Sequence, residues 1–353
     1  MTRTILSTSL EESTGKTAIS LALAKLAAEN DANVGYMKPK GTRLQSSVGK
    51  TLDEDPMLAR ELLGLDAEMH ELEPVVYSPT FIDQALRGRE DPEALRERIV
   101  DSFEKLSAER DLMMVEGADS VSTGGIVDLT DAKVGEMLDA KTLLVTSYEQ
   151  PGDVDDVLAA ADVLGDDLIG VLFNKVPDQA YDSLEEDAAP YLDGKGIDVL
   201  GILPRKQELA GVTVGDLADE LGAEVLTEAS MDSYVERFQV GAMGSEEALR
   251  YFRRTKDAAV ITGGDRADIQ TAALEAPGIH ALILSGGHRP SSAVLGKAEE
   301  KGVPVLLVQS DTLTAVERAE DVVRGGRTRD EKTVELMTEL LHEHADTDAI
   351  IGE

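Results

Sequence analysis

The sequence predicts an α/β fold: a mostly parallel sheet covered by helices on both faces, followed by a second, smaller α/β domain. Three observations carry that prediction. Short apolar runs alternate with segments of helical spacing through nearly the whole chain, the pattern of parallel strands joined by crossover helices. Runs such as LMMVE and LIGVLF are near-continuously apolar, as in strands buried on both faces. The chain opens on Ile5 to Ala24, ILSTSLEESTGKTAISLALA, where strand, small-residue loop and helix follow one another directly.

That opening reads as a phosphate-binding loop. Gly15 lets the backbone come close to an anion. The free amides of the helix start point at the phosphates, and the helix dipole favours negative charge there. Ser13, Thr14 and Gly15 would wrap the nucleotide, Lys16 would reach its β- and γ-phosphates, and the Thr17 hydroxyl would ligate Mg²⁺. The expected cofactors are therefore ATP and Mg²⁺. Where such a loop usually carries an earlier glycine, this chain has Ser9 and Leu10.

Composition narrows the class. With 353 residues the chain suits two domains of ordinary size, and with 42% hydrophobic residues it can bury a sizeable core. Aromatics are only 3% and Trp is absent, so that core must be built from Val, Ile, Leu, Ala and Met. The net charge of −35 comes from acids interspersed in stretches such as LDEDPM and DSLEEDAAP. It describes a solvated acidic surface, and we hypothesise a high-salt cytoplasm, where screening is strong. The same charge, without a basic patch, argues against nucleic acid as a partner. No cysteine is present, which excludes disulfides, thiolate catalysis and Cys-based metal sites. No signal peptide is read before the first strand, and no apolar run approaches the ~18 residues of a membrane span. A soluble, cytoplasmic protein with no membrane partner is expected.

The elements follow in order. AISLALAKLAAEN continues the first helix, and Val34 to Lys38 forms a second strand running into Pro39-Lys40-Gly41-Thr42-Arg43. Lysines at the C-terminal end of a parallel strand can meet anions, or they can simply belong to a solvated turn. In Leu52 to Leu65, Asp53 or Asp55 can cap a helix or reach across the crevice to Mg²⁺. Residues 81–110 read as exposed helices, with Pro92 in a first turn. Asp111 to Ala118 is a buried strand whose end carries Glu116, where a nucleotide's metal is usually held. A small-residue loop over 119–126 follows. Helix 131–139, strand 142–148, helix 152–164 and strand 168–174 come next. Asn174, ending that strand, could read a base edge. Helix 178–193 and strand 198–203 then close a first domain, 1–207.

A second domain is expected over 211–345. A capped helix and a strand lie in VTVGDLADELGAEVL, residues 231–241 are extended, and helix 245–254 leads to strand 258–261. Thr262-Gly263-Gly264-Asp265-Arg266 precedes helix 267–274, and strand 279–284 runs into Ser285-Gly286-Gly287-His288-Arg289 before helix 291–301. Such glycine loops can cradle phosphate or merely make tight turns, and Asp265 with Arg266 can be a ligand clamp or an ion pair. The remaining elements are strand 303–309, then Ser310-Asp311-Thr312 and a helix, and an amphipathic last helix, 329–344, expected to pack back. His342 and His344 do not share a helix face and are not read as a metal site.

With these residues placed, the first domain resembles the dethiobiotin synthetase family of P-loop proteins. TSLEESTGKT, YMKPKGT, DEDPMLA, MVEGA and FNKVP followed by LGILP carry the resemblance over about 200 residues, in the family's order. The second domain resembles the DRTGG domain through TGGDRADI and SGGHRPSSAVL. Together they resemble the N-terminal, non-catalytic region of long phosphotransacetylases. The implied fold is P-loop NTPase-like, then DRTGG-like. The resemblance implies that Lys16 and Thr17 hold phosphates and Mg²⁺, that Asp55 and Glu116 are metal ligands, and that Asn174 contacts the base. It implies that Lys38 and Thr42 lie in the substrate site, with Lys16 and Lys38 catalytic only in a ligase. Ser9 in place of the loop glycine, and Asp119-Ser120 where the synthetases carry glycine, depart from the pattern.

Three functions are then open. The first is a nucleotide-binding regulatory protein whose second domain, through Gly263, Gly264, Asp265, Arg266, Gly286 and Gly287, senses a small ligand or pairs subunits. By family analogy it would act with a separate enzyme of acetate and acetyl-CoA metabolism. The second is an ATP- and Mg-dependent ligase of dethiobiotin synthetase type. The third is a scaffold with a vestigial P-loop. A homo-oligomer is expected from the habit of both families. The phosphotransacetylase catalytic domain is not represented in these residues, so acetyl transfer to phosphate is not expected of this polypeptide alone.

Overall fold

Six strands, Val199–Pro204, Leu168–Val176, Lys141–Thr146, Arg3–Ser9, Leu112–Glu116 and Val34–Met37, pair side by side in that order and in parallel. The structure is a computed structural model that describes residues 2–41, 44–47, 50–326 and 331–352. In chain order its first elements are β1 (Arg3–Ser9), α1 (Lys16–Glu29), β2 (Val34–Met37), β3 (Lys40–Gly41), β4 (Leu44–Ser47), β5 (Lys50–Asp53), α2 (Glu54–Leu62) and α3 (Met69–Leu72). Then come β6 (Val75–Val76), α4 (Pro79–Leu86), α5 (Pro92–Ser107), β7 (Leu112–Glu116), α6 (Asp131–Met137), β8 (Lys141–Thr146), α7 (Val154–Leu164) and β9 (Leu168–Val176). A wide turn at Leu184–Ala188 joins α8 (Asp178–Ser183) to α9 (Ala189–Asp193), and β10 (Val199–Pro204) follows.

Local chemistry sets the helix starts. Asp53 caps α2, its carboxylate accepting from the Asp55 amide at 3.0 Å. Ser78 and Asp91 cap α4 and α5, each with proline in the first turn. Strand β1 at the sheet's centre is buried from Thr4 to Ser9 although only Ile5 and Leu6 in it are apolar, because both of its faces are covered. On one face Leu6, Met37, Met113 and Val115 pack with Leu95 and Ile99 of α5 and Val134 of α6. Farther along, Leu144, Val171 and Phe173 pack with Val157 of α7 and Leu184.

The chain divides into two units, residues 1–205 together with those from 328 on, and residues 206–327. This corrects the expected second-domain limit at 345. The last long helix, α16 (Glu331–His344), lies against α1, burying Val334, Met337, Leu340 and Leu341, and a short helix, α17 (Thr347–Ile351), follows it. The amphipathic pattern gives the helix an apolar face without saying which domain covers it.

Within the second unit are α10 (Gln207–Ala210), β11 (Val212–Thr213), α11 (Val214–Leu221), β12 (Glu224–Val225), β13 (Tyr234–Val235), β14 (Arg237–Val240), α12 (Ser245–Phe252), β15 (Ala258–Gly263) and α13 (Ala267–Leu274). They continue with β16 (Ile279–Ser285), α14 (Ser292–Lys301), β17 (Val305–Leu307) and α15 (Thr312–Gly326). The sheet order is β12-β17-β16-β15-β14, with β12 alone antiparallel. Ile261, Ile283 and Leu306 face Leu217 of α11 and Ala319 of α15. Val260, Leu282 and Leu307 face Phe252, Ile269 and Val294 on the other side. The alternation is the strand's period of two, with both faces buried.

Candidate functional site

The site forms where β1, β2 and β7 end together, the edge at which open α/β sheets take ligands. Register fixes its members. Ser7 of β1 pairs with Glu116, and Met37 of β2 pairs with Val115, so the residue after β2, Lys38, arrives beside Glu116.

Gly15 stands at φ 89°, the left-handed region, as the turn into α1 requires. A side chain there would meet Asn174 Nδ2 at 2.5 Å. Ser13 also has positive φ, at 58°. Two side chains of β9 hold the loop: Asn174 Nδ2 donates to Thr14 O at 2.7 Å, and Lys175 Nζ donates to Ser13 O. Asn174, for which the resemblance implies a base contact, thus has its amide nitrogen on the loop that precedes α1. Thr14 Oγ1 is buried and has no hydrogen-bond partner, an orphaned donor inside the loop.

Lys16 is the first residue of α1 and is buried. Its ammonium donates to Ser9 Oγ at 2.8 Å and to Ala118 O, both neutral. Burial pulls its pKa below the ordinary lysine value. Ser9, a departure from the expected glycine, thus supplies the hydroxyl that seats this ammonium.

Beside it, Thr17 Oγ1 donates to Glu116 Oε1 at 2.8 Å, and the Tyr36 hydroxyl donates to Glu116 Oε2 at 2.7 Å. Lys38 Nζ lies 2.9 Å from Asp53 Oδ2 and 3.5 Å from Glu116 Oε1, and it donates to Asp55 Oδ2. All four of these charged groups are buried. Burial raises the carboxyl pKa of both Asp53 and Glu116. Burial by itself would lower that of Lys38, but the carboxylates of Asp55, Glu116 and Asp53 reverse this and raise it. Glu73 Oε2 accepts from the Asp53 amide at 3.3 Å while Oε1 has no partner, and burial, then the charge of Asp53, push its pKa up to about 7.

The structure therefore brings together Lys16, Thr17, Lys38, Asp55 and Glu116. Thr42 lies outside the described residues. The donor set of a hydroxyl and carboxylates is the hard-oxygen chemistry that suits Mg²⁺. Among the described residues no three acidic or histidine side chains surround one point in metal-holding geometry; their oxygens converge on the Lys38 ammonium. Thr17, Asp55 and Glu116 would hold the metal, which would neutralise phosphate charge there.

Sequence reasoning missed a second buried pair. Lys40 Nζ donates to Asp131 Oδ1 and to Thr123 O, both at 2.8 Å, and Thr8 Oγ1 donates to Asp131 Oδ2 at 2.7 Å. Asp131 Oδ1 also accepts from the Ala118 amide at 3.3 Å, so the pair positions the carbonyl that holds Lys16. A cavity of about 620 Å³ opens nearby, lined by Leu10, Glu11, Val121, Thr146, Ser147 and Gln150 among others.

In the second unit the glycine loops are stitched to the fold. The amides of Gly264, Gly286 and Gly287 donate to Ser285 O, Ser310 O and Val308 O at 3.3, 2.8 and 3.0 Å. Gln270 Nε2 donates to Gly263 O and Gly264 O at 2.9 and 3.1 Å. These three amides are engaged in the loops' own turns. Arg266 lies 3.6 Å from Asp268 and donates to Met243 O; its ion pair is with Asp268, and Asp265 stands apart from it.

Strand order, loop and buried lysine define a P-loop NTPase-like class of fold. The chain belongs to the AAA domain family, which its residues 3–213 match, and residues 216–322 match the DRTGG domain. It is 24% identical over 385 residues to the phosphate acetyltransferase of Haemophilus influenzae, covering 99% of this chain and 52% of that protein. It is 29% identical over 198 residues to the ATP-dependent dethiobiotin synthetase BioD of Methanococcus vannielii, covering 55% of this chain and 90% of that enzyme. The chain spans about half the length of the phosphate acetyltransferases it matches. The septum site-determining protein MinD from Pyrococcus horikoshii, solved with Mg-ADP, is similar over 60% of this chain and 84% of that one, with 17% identity. Its TM-score of 0.35 is too low to argue from. Among the described residues no helix is long and apolar enough to cross a membrane.

Proposed function

We propose that the chain is a nucleotide-binding regulatory protein that takes Mg-ATP at the first unit and a small ligand at the DRTGG unit. One observation carries the reading: a buried lysine ammonium at the start of α1 rests on neutral oxygens, beside an orphaned threonine hydroxyl. A buried ammonium whose hydrogen bonds go only to neutral oxygens is costly, and a polyphosphate at a helix N-terminus would bring negative charge directly to it. Likeness to phosphate acetyltransferase supports a role in acetyl-CoA and acetate metabolism through a separate enzyme. Cytoplasmic location and self-association belong to the same proposal; sedimentation showing monomer alone would remove the second.

Calorimetry tests the binding. Mg-ATP binds the wild type, and Lys16→Ala removes the binding while the circular dichroism spectrum stays unchanged. Binding of equal strength by both proteins would sink the proposal.

The ligase reading draws on Lys38 standing with Asp55 and Glu116, since a site that only binds nucleotide has no need of Lys38. An assay of ADP release with diaminopelargonate and bicarbonate separates the two: turnover stimulated by the diamine favours the ligase.

A further inference from the structure

Three buried carboxylates, Asp53, Asp55 and Glu116, share the single ammonium of Lys38. The neighbouring Lys16 ammonium is bonded to neutral oxygens. Two of the three carboxylates, together with Thr17, are the groups that would hold the divalent cation. One atom is common to both arrangements: Glu116 Oε1 accepts from Thr17 and lies 3.5 Å from Lys38 Nζ. A metal held by Thr17, Asp55 and Glu116 would need oxygens that the ammonium already engages. Two cations drawn to the same buried oxygens repel each other strongly at low dielectric.

We propose that the Lys38 ammonium is an internal stand-in for the divalent cation, and that metal binding at Thr17, Asp55 and Glu116 expels it. The inference rests on the Mg-nucleotide reading above. A divalent ion brings twice the charge of the ammonium to three carboxylates, which favours the exchange. The four-carbon stem lets the released ammonium move toward an anionic group of the ligand. In the metal-free protein the same contact keeps the carboxylates from repelling one another, so the site stays folded while empty of metal. Metal and lysine are thus coupled through one set of oxygens.

The test uses Mn²⁺ as probe, read by the electron paramagnetic resonance of the free ion. Lys38→Met and Lys38→Gln should bind Mn²⁺ without nucleotide about tenfold or more tightly than the wild type, within the range of ordinary site coupling. Mn²⁺ should also raise their melting temperatures more than that of the wild type. Equal or weaker binding by both folded variants overturns the proposal. Should neither variant fold, the wild type carries the test: acylation of Lys38, followed by peptide mass spectrometry, should be slow without metal and faster with Mn²⁺ alone. A rate unchanged by saturating Mn²⁺ overturns it. Tight Mn²⁺ binding by the variants, with no Mn²⁺ or ATP binding by the wild type, supports the stand-in and sinks the nucleotide reading. Mn-ATP binding by the wild type as tight as by the variants, with Lys38 still protected, sinks the stand-in alone.

Discussion

Glu73 shows how burial reaches the chemistry of single residues. One of its oxygens has no partner, Gly41 packs directly on it, and its pKa lies at about 7 against an ordinary 4.5. The folded protein therefore holds a proton that the unfolded chain has already lost above pH 4.5. Stability falls as pH rises through that window, because the folded state binds more protons there. Asp53 and Glu116, also raised by burial, act with the same sign. Replacing Glu73 by Gln should make the fall in melting temperature between pH about 5 and about 7 shallower without abolishing it. Parallel profiles for the two proteins would refute the assignment. Such residues were not legible in the sequence. Lys16, Thr17, Lys38, Asp55 and Glu116 could be named because each sits at a strand or helix end of recognisable type. Ser9, Tyr36, Glu73 and the Lys40–Asp131 pair matter through contacts across the fold, the last spanning 91 positions, and no local pattern announces such a pairing.

At the scale of elements, α1 is the one on which the site depends. Ile19, Leu21, Ala22 and Leu23 are buried along it, so it is covered on nearly all sides, where the sequence alone shows only apolar residues at helical spacing. What covers one side was not legible: α16 supplies Leu340 and Leu341 from the far end of the chain, with an ion pair between Lys25 and Glu335 at its edge. The exposed pair adds little; the apolar contact carries the docking. Leu341→Ala should destabilise the first unit by about 2–5 kcal/mol, the usual cost of a buried leucine cavity. Urea unfolding of the purified protein would measure it, and a loss within error of zero would show that α16 is dispensable. The strands were legible because buried parallel strands are short apolar runs between breakers. The two-residue pairing β3–β6 and the β4–β5 pair were not, since elements so short leave no period to read.

At the scale of the whole molecule, charge and topology act together. With 69 acidic against 34 basic residues, self-repulsion works against the folded state unless salt screens it. Melting temperature should rise as KCl is raised from about 0.1 M, where the Debye length is about 10 Å, to 1 M and above, where it is about 3 Å. A melting temperature independent of salt would remove the high-salt hypothesis. The second unit is inserted: the chain leaves the first unit after Arg205 and returns to it with α16. That return sets an order of assembly during synthesis. While residues 206–327 are still leaving the ribosome, the helix that begins at Lys16 keeps an oily flank in water. The unit that carries Lys16 is complete only once α16 has returned to it, and a fragment cut after β10 would carry the same wet flank permanently.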